Sequence, residues 1–258
     1  MSISLAIASF DQDLYLHRTI DSVYDWVDEI VLVYCSPQDA LIESIMKHDP
    51  SGKIKLIYFE NHPMFHVNKQ KAIDACTQDW ILQLDADEVV SPALKQEIQA
   101  VVKGESEFSA YWMPRLNHFL GKPLRKGGQY PDKTIRLYRR GSAHLPCKSL
   151  HEQVTVNGTV GELSSNLLHY PYPDFHTYLR KWMKYGAGEI DPSEVVGLHL
   201  GLWGMLNYLI IKPKLWFLKA YFRHRGYVDG FPGFVFALFS ALRYWLIYIS
   251  LWEKKQTK

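Results

Sequence analysis

Short apolar runs alternate with amphipathic segments over the first hundred residues. The apolar runs have the length and composition of buried strands, and helical spacing follows each of them. The predicted strands are Ile3–Ser9, Glu29–Tyr34, Lys55–Phe59 and Trp80–Leu84. The predicted helices are Leu14–Val27, Leu41–Lys47, Val67–Thr77 and Pro92–Val102. This alternation predicts an α/β fold with a mostly parallel sheet, which binds ligands beyond the carboxyl ends of its strands.

The pattern changes after about residue 108, where Gly and Pro separate shorter segments. Predicted strands are Ala110–Met113, Thr134–Tyr138 and Gln153–Val156, and a predicted helix is Asp174–Tyr185. Asn157–Gly158 lies between QVTV and TVGEL, which predicts a two-residue hairpin. We therefore predict one catalytic domain in two halves, residues 1–108 (α/β) and 109–198 (α+β), followed by a tail at 199–258.

The tail is predicted to associate with a membrane. Phe231–Trp252 is long enough to span a bilayer and contains one charge, Arg243. Basic residues flank both of its ends, whereas a single span has positive charge on one side. Upstream, Leu202–Arg225 mixes aromatic residues with lysines and is predicted to break at Pro213. We expect in-plane or re-entrant attachment of these helices to an anionic membrane surface. The alternatives are a spanning helix and packing against the body or a second copy.

The tail and the rest of the chain also differ in net charge. The net charge of +2 comes from nine Lys/Arg and two Asp/Glu in residues 201–258, against 20 and 25 in residues 1–200. No overall field favours nucleic acid as a partner, and a hydrophobic content of 47% excludes a disordered chain. Three separated cysteines exclude a disulfide framework and fit a reducing compartment. No secretory leader is recognisable, so we expect a cytoplasmic protein, peripheral on the inner membrane.

The strongest chemical signal is Leu84-Asp85-Ala86-Asp87-Glu88, directly after a predicted strand. Three carboxylates within four residues repel one another unless a cation neutralises them. Oxygen ligands at a strand end suit Mg²⁺ or Mn²⁺, with the phosphates of a ligand completing the shell. The alternative is a solvated acidic turn that opens the next helix.

The run Asp79–Pro92 (DWILQLDADEVVSP) resembles the DxD region of family 2 glycosyltransferases, and more narrowly the bacterial lipopolysaccharide-core glucosyltransferase-like group. Further similar segments follow in the family's order and cover nearly the whole chain: Ser2–Asp13, Asp28–Ala40, Gly127–Gly141, Leu150–Val154, Leu167–Tyr172 and Gly226–Phe234. The resemblance implies a GT-A fold, a nucleotide-sugar donor and a single displacement that inverts the anomeric centre. The implied acceptor is a saccharide or lipid-linked glycan, such as a lipopolysaccharide core.

The resemblance also implies roles for individual residues. Asp87 is the expected essential metal ligand, and Asp85 is expected to contact the ribose or the metal through water. Donor contacts are expected from Ser9, Asp11 and Asp39. Cationic contacts to the diphosphate are expected from Lys69, Arg136 and Arg139, unless these side chains lie on solvated faces.

An inverting transfer needs a general base on the acceptor side. The matching carboxylate is Glu152 of LHEQV, and Asp132 is the rival. His151 and His169 are candidate metal or acceptor contacts, or else structural residues.

One departure from the family pattern concerns the nucleotide base. The family usually ends its second strand with an Asp that reads the base, where this chain has Tyr34, and only Asp39 of the following turn matches. Tyr34 could stack on the base instead.

Two alternatives stay open: a degenerate member that binds glycolipid or a partner without turnover, and a nucleotidyltransferase. The latter needs a Gly-rich basic loop after the first strand, which ASFDQD does not provide.

Overall fold

The computed structural model describes residues 1–10, 14–37, 39–148, 152–188 and 200–256. The chain forms two compact units, and each unit is built from two chain segments. The first unit contains residues 1–115 and 132–170, and the second contains residues 116–131 and the chain from residue 171. The domain boundaries predicted at residues 108 and 198 stay predictions.

The first unit is built on a parallel sheet. Its strands are β1 (Ile3–Ser9), β2 (Glu29–Tyr34), β3 (Ile54–Tyr58) and β4 (Trp80–Asp85), in the order β3-β2-β1-β4. The helices between and after them are α1 (Leu16–Asp21), α2 (Ala40–Lys47), α3 (Phe65–Asp74) and α4 (Pro92–Lys103). All four strand–helix pairs agree with the sequence prediction, although α1 ends six residues before the predicted Val27.

The strands have two buried faces because helices cover both sides of the sheet. All seven residues of β1 are buried, and successive side chains enter different cores. Leu5 and Ile7 pack in the core that contains α1, α2 and α4, while Ala6 and Ala8 pack in the core that contains α3. The small alanines on that side allow α3 to lie close to the strand ends.

An antiparallel extension completes the sheet of the first unit. It contains β5 (Glu88–Val90), β6 (Ala110–Phe119), β8 (Asp132–Arg139) and β12 (Leu167–His169), and β11 (Val160–Glu162) joins β6 in parallel. Within the second unit, β7 (Lys122–Pro123) pairs with His118 and Phe119. From β4 the order continues β8-β6-β12-β5, with β8 antiparallel to both β4 and β6. This mixed, largely parallel sheet confirms the predicted α/β class and brings β8 beside the end of β4.

The predicted hairpin at Asn157–Gly158 is wrong. The strand before it, β10 (Thr155–Val156), pairs with β9 (Ala143–His144) in a separate two-stranded sheet. The strand after it, β11, pairs in parallel with β6. Gly158 adopts a positive φ of 118°, as a turn requires, but the turn redirects the chain to the free edge of β6, where the β11 backbone finds its hydrogen-bond partners.

The second unit is mainly helical. It contains α5 (Phe175–Gly188), a helical run from residue 202 to residue 223, a 3₁₀ turn (Gly226–Asp229) and α8 (Gly230–Gln256). The run consists of α6 (Leu202–Leu206) and α7 (Lys212–Leu218), each followed by a π-helical turn. The predicted break at Pro213 is wrong: the proline lies in the first turn of α7, where a missing N–H is tolerated.

The GYVDGFPGF motif explains how the loop after β7 is held within the second unit. The Asp229 carboxylate accepts hydrogen bonds from the backbone N–H groups of Arg125 (3.1 Å) and Lys126 (2.8 Å). Gly226 lies against Gly127, where a Cβ on either residue would contact the other's backbone at about 3.5 Å. These residues of the motif have a structural role, because the Asp229 carboxylate and Gly226 hold a loop in place.

The surface of the second unit is unusually apolar. Residues Gly226–Gln256 are long and apolar enough to cross a membrane by length and composition, and 28% of their most apolar window is buried. The large exposed apolar side chains of the helical run and of α8 include Leu202, Trp203, Ile210, Leu215, Trp216, Leu218, Phe222, Phe231, Phe234, Trp245, Ile249 and Trp252. Exposed apolar side chains in this number are typical of an interaction face.

Asp229→Ala should lower the free energy of unfolding by about 1–3 kcal/mol, because two loop N–H groups lose their acceptor. Urea denaturation of the full chain measures the change. The matched control Asp25→Ala removes an exposed carboxylate and should stay within about 0.5 kcal/mol of the wild type. Equal stability of the two variants would contradict the structural role of Asp229.

Candidate active site

The acidic turn predicted to carry chemistry follows β4 directly. Asp85 is the last residue of β4, and Glu88 is the first residue of β5. The turn is closed by a hydrogen bond from the Asp85 N–H to Glu88 Oε2 (2.9 Å). The buried hydroxyl of Thr19 in α1 donates to the Ala86 carbonyl (2.8 Å). These two hydrogen bonds fix the turn from two sides. The carboxylates of the turn contact different partner residues.

Asp85 lies between two cations. Its Oδ1 is 2.6 Å from Lys69 Nζ on α3, and its Oδ2 is 2.6 Å from Arg136 Nη2 on β8. Burial alone would raise the pKa of Asp85, but Arg136 and Lys69 outweigh it and hold that pKa well below its usual range. Asp85 is therefore ionised at neutral pH. Its predicted contact with ribose or metal stays a prediction, and the structure gives its oxygens protein partners.

Glu88 is fully buried and was not assigned a role from the sequence. Its Oε1 accepts hydrogen bonds from Arg136 Nη2 (2.8 Å) and Arg115 Nη1 (3.3 Å). Arg136 also donates to Gln83 Oε1 (2.7 Å). Burial would lower the pKa of Arg136, but the charges of Asp85 and Glu88 raise that pKa by more than burial lowers it. The guanidinium therefore keeps its charge.

Asp132, the rival base, belongs to the same network. Arg115 donates to Asp132 Oδ2 from Nε (2.9 Å) and from Nη2 (2.7 Å). The network thus joins Lys69, Arg115 and Arg136 to Asp85, Glu88 and Asp132, three cations to three carboxylates. Asp132 holds Arg115 in place, and its role as the rival base stays a prediction.

Asp87 and His169 meet at the edge of this network. His169 Nε2 is 3.5 Å from Asp87 Oδ1, and β12 pairs with β5 so that His169 lies opposite Glu88. The Asp87 carbonyl accepts the N–H of Tyr170 (2.8 Å). Within the described part of the chain, no group of three or more His, Cys, Asp or Glu side chains is arranged to hold a metal ion. A carboxylate and an imidazole nevertheless suit a divalent cation whose remaining ligands are phosphate oxygens and water.

Glu152 lies beside α3. Both of its carboxylate oxygens accept the N–H of Lys148 (3.0 and 3.1 Å), and Oε1 is 3.3 Å from Nδ1 of the buried His66. His66 and Lys69 are one helical turn apart, so a single face of α3 contacts both Glu152 and Asp85. A carboxylate with its charge stabilised in this way retains lone pairs for a further donor.

The predicted base-reading region is closed. Tyr34 is fully buried, so its ring is not available to stack on a nucleotide base, and its hydroxyl donates to Asp39. Asp39 caps α2 by accepting the N–H of Ile42 (3.1 Å). The hydrogen bonds from Tyr34 and Ile42 lower the pKa of Asp39. Ser9 is buried at the end of β1, and its predicted donor contact stays a prediction.

One other predicted residue lies apart from the network. Arg139 donates to the carbonyls of Ser106 (2.7 Å) and Phe108 (3.4 Å), which removes it from the predicted diphosphate clamp. Asp11 and His151 lie outside the described residues.

The sequence matches one family model and is similar to several glycosyltransferases. The model of "Glycosyl transferase family 2" matches residues 4–149. The lipopolysaccharide core biosynthesis glycosyltransferase LpsC of Rhizobium meliloti is 25% identical over 263 residues, covering 100% of this chain and 94% of that protein. An uncharacterised glycosyltransferase of Rickettsia typhi is also 25% identical, covering 97% of this chain and 87% of that protein.

Structural comparison agrees on the fold. The structure of S. aureus TarS residues 1–349 in complex with UDP-GlcNAc superposes with a TM-score of 0.52 at 13% identity, covering 95% of this chain and 81% of that one. The UDP complex of the same protein gives a TM-score of 0.50 at 12% identity, covering 100% of this chain and 92% of that one. These likenesses confirm the predicted GT-A class.

Arg136→Met should lower the free energy of unfolding by about 3–5 kcal/mol, because Asp85 and the fully buried Glu88 lose a shared cation. Urea denaturation measures the loss. Arg140→Met, which removes an exposed arginine from the other end of β4, is the control and should change stability by less than about 0.5 kcal/mol. A tolerated Arg136→Met would show that the network does not stabilise the turn.

Proposed function

Because the chain belongs to glycosyl transferase family 2, we propose that it transfers a sugar, with inversion, from a nucleotide-sugar donor to a saccharide acceptor. The observation that carries the proposal is the Asp87–His169 pair beside a neutralised ion network at the end of β4. The relative LpsC, named for lipopolysaccharide core biosynthesis, supports a lipopolysaccharide-core or lipid-linked acceptor. The UDP-GlcNAc bound to TarS supports a uridine nucleotide donor. Glucose as the sugar follows from the sequence resemblance.

The metal proposal assigns Mg²⁺ or Mn²⁺ to Asp87 and His169. When bound, the cation supplies Lewis-acid stabilisation of the diphosphate that leaves. Asp85 keeps Lys69 and Arg136 at this end of β4, where their positive charge favours a diphosphate. Glu88 holds the turn through the Asp85 N–H, so Asp87 is presented from a fixed backbone.

The base proposal assigns proton abstraction to Glu152. As the acceptor oxygen forms its bond to the anomeric carbon, the bond from that carbon to the donor phosphate breaks, and the acceptor proton passes to a Glu152 oxygen. The Lys148 N–H and His66 hold the carboxylate in one orientation. Asp132 is less suited to this role, because Arg115 donates twice to one of its oxygens.

Two other functions predict different behaviour. A degenerate member would bind glycolipid or nucleotide without releasing nucleoside diphosphate, and the closed Tyr34 region is the feature that favours it. A nucleotidyltransferase would release pyrophosphate from a nucleoside triphosphate. Product analysis with both donor classes therefore separates the three possibilities.

Asp87→Ala and Glu152→Gln should each lower turnover at least about a hundredfold, because one removes a cation ligand and the other the proton acceptor. The assay measures nucleoside diphosphate released from a panel of nucleotide sugars with Mn²⁺ or Mg²⁺. Glu105→Gln, on the exposed surface, is the control. Turnover without metal, or full activity of Asp87→Ala, would contradict the cation site.

We extend the proposal to a membrane surface, on which a lipid-linked acceptor would be carried. The exposed apolar residues of α8 recur at helical spacing, as in Phe231, Phe234, Trp245, Ile249 and Trp252, and form one stripe. Basic residues accompany the apolar surface, with Lys212 Nζ 3.7 Å from the Tyr208 ring centre and Lys219 Nζ 5.1 Å from that of Trp216. Aromatic rings combined with lysines suit an anionic lipid surface.

The packing of α8 favours an in-plane orientation over a spanning one. The middle of α8 contacts the helical run, since Trp245 Nε1 donates to the Leu209 carbonyl (2.8 Å) and Lys212 Nζ lies 5.6 Å from the Tyr244 ring centre. A spanning α8 would carry the Lys212 ammonium into the hydrocarbon core, which is costly. In the interface the same lysine reaches the headgroups. The proposed location is the cytoplasmic face of the inner membrane.

The double variant Ile249→Glu/Trp252→Glu should reduce binding to phosphatidylglycerol-containing vesicles at least about tenfold, because two charges enter the inserted stripe. Co-sedimentation measures binding, with pure phosphatidylcholine vesicles for comparison. Met46→Glu, an equivalent change in the first unit, is the control and should bind normally. Resistance of bound protein to alkaline carbonate would contradict the in-plane orientation, and dimerisation without vesicle binding would contradict a lipid partner.

A further inference from the structure

Two tyrosine rings and an arginine form a cluster in the first unit. Tyr15, just before α1, stacks on Tyr170, just after β12, with ring centres 5.3 Å apart and planes inclined by 20°. The guanidinium carbon of Arg18 lies 5.5 Å from the Tyr15 ring centre and 4.8 Å from that of Tyr170. Both tyrosines are half-buried and Arg18 is exposed. The cluster therefore places a positive charge on an aromatic surface that solvent reaches.

The cluster is fastened to the turn that carries Asp87. Next to Arg18, the hydroxyl of Thr19 donates to the Ala86 carbonyl (2.8 Å). From the other side, the N–H of Tyr170 donates to the Asp87 carbonyl (2.8 Å). His169, the residue before Tyr170, makes the contact with the Asp87 carboxylate. These bonds fix the cluster next to the Asp87–His169 pair from both sides of the turn.

Arg18 differs from the other arginines of this region in its partners. Arg115 and Arg136 each bind carboxylates of the ion network. The side chain of Arg18, judged by the described residues alone, has neither an ion pair nor a hydrogen bond. Its contacts with the rings use the face of the guanidinium and leave the N–H edge available. That edge binds a phosphate or a carboxylate through two parallel hydrogen bonds.

We propose that Tyr15, Arg18 and Tyr170 form a subsite for a saccharide that carries an anionic group, next to the Asp87–His169 pair. The rings offer flat apolar area to a pyranose, and Arg18 pairs with a phosphate or carboxylate on it. The anion has two possible sources, the acceptor and the donor diphosphate. The acceptor is favoured because the proposed function already assigns Lys69 and the Asp87–His169 pair to the diphosphate. The proposal rests on the proposed glycosyl transfer and specifies the chemical class of its acceptor.

The test measures equilibrium binding by calorimetry, which needs no turnover. The probes are a lipid-free phosphorylated core oligosaccharide from bacterial lipopolysaccharide, the same oligosaccharide after removal of its phosphates, and UDP with Mn²⁺. Arg18→Gln should raise the Kd of the phosphorylated oligosaccharide at least about tenfold, because a charge-assisted contact is lost. The Kd values of the dephosphorylated oligosaccharide and of UDP should stay within about twofold.

Two further variants separate recognition from folding. Tyr15→Leu should weaken both oligosaccharides, since both carry the sugar rings. Arg140→Gln removes an exposed arginine at the other end of β4 and should leave all three Kd values unchanged. Circular dichroism confirms that each variant is folded.

The outcomes distinguish the subsite from the function. Weaker UDP binding by Arg18→Gln would assign the arginine to the donor and overturn the acceptor subsite. Failure of the wild type to bind the phosphorylated oligosaccharide, or equal binding by wild type and Arg18→Gln, would overturn it as well. Phosphate-dependent binding together with no release of nucleoside diphosphate would support the subsite and contradict the proposed transfer.

Discussion

Neutralisation of the carboxylates at the end of β4 is the constraint on which the site depends. Glu88 has no exposed surface and the side chain of Asp85 is 21% exposed, so both charges require partners in the folded sheet. Arg136 serves both carboxylates, and it reaches them because β8 runs antiparallel beside β4. The antiparallel extension of the sheet is thus more than an addition to a parallel core, since it supplies the cation that the acidic turn requires.

Helix α3 connects the parts of the site that have different chemistry. Its buried side faces the alanines of β1 and the strand ends, and its residues His66 and Lys69 reach Glu152 and Asp85. Between them the buried Asn68 donates to Asn61 (2.9 Å) and accepts the N–H of His62 (3.2 Å), which anchors the loop before the helix. A helix that is fixed at its N-terminal end by an amide, and along one face by the His66–Glu152 contact and the Lys69–Asp85 ion pair, holds Glu152 and the acidic turn in a constant relation.

The sequence was sufficient for the parallel half of the fold, because continuous apolar runs and helical spacing are local patterns. The DADE turn was recognised for the same reason, because it stands directly after a predicted strand. Lys69 and Arg136 were named as expected diphosphate contacts, and their ion pairs with Asp85 were not predicted. The roles of Glu88, Arg115 and Gln83 were not predictable, since they arise from pairing between β4, β6 and β8 across gaps of up to 53 residues. The prediction of a hairpin at Gly158 was wrong because turn chemistry predicts where a chain turns but not which strand edge it then joins. Burial of Tyr34 likewise depends on packing that no local pattern contains.

The interleaving of the two units limits how the protein can be divided. The chain leaves the first unit after Arg115, contributes residues 116–131 to the second, and returns at Asp132 before completing the sheet. A cut after residue 170 would therefore leave residues 116–131 without the Asp229 carboxylate that binds the loop backbone. Recombination or genetic fusion therefore could not exchange the apolar helices as one continuous segment, because their unit is built from two chain segments. The two units are expected to be inherited together, and a change in the apolar surface has to come from substitutions within the helices.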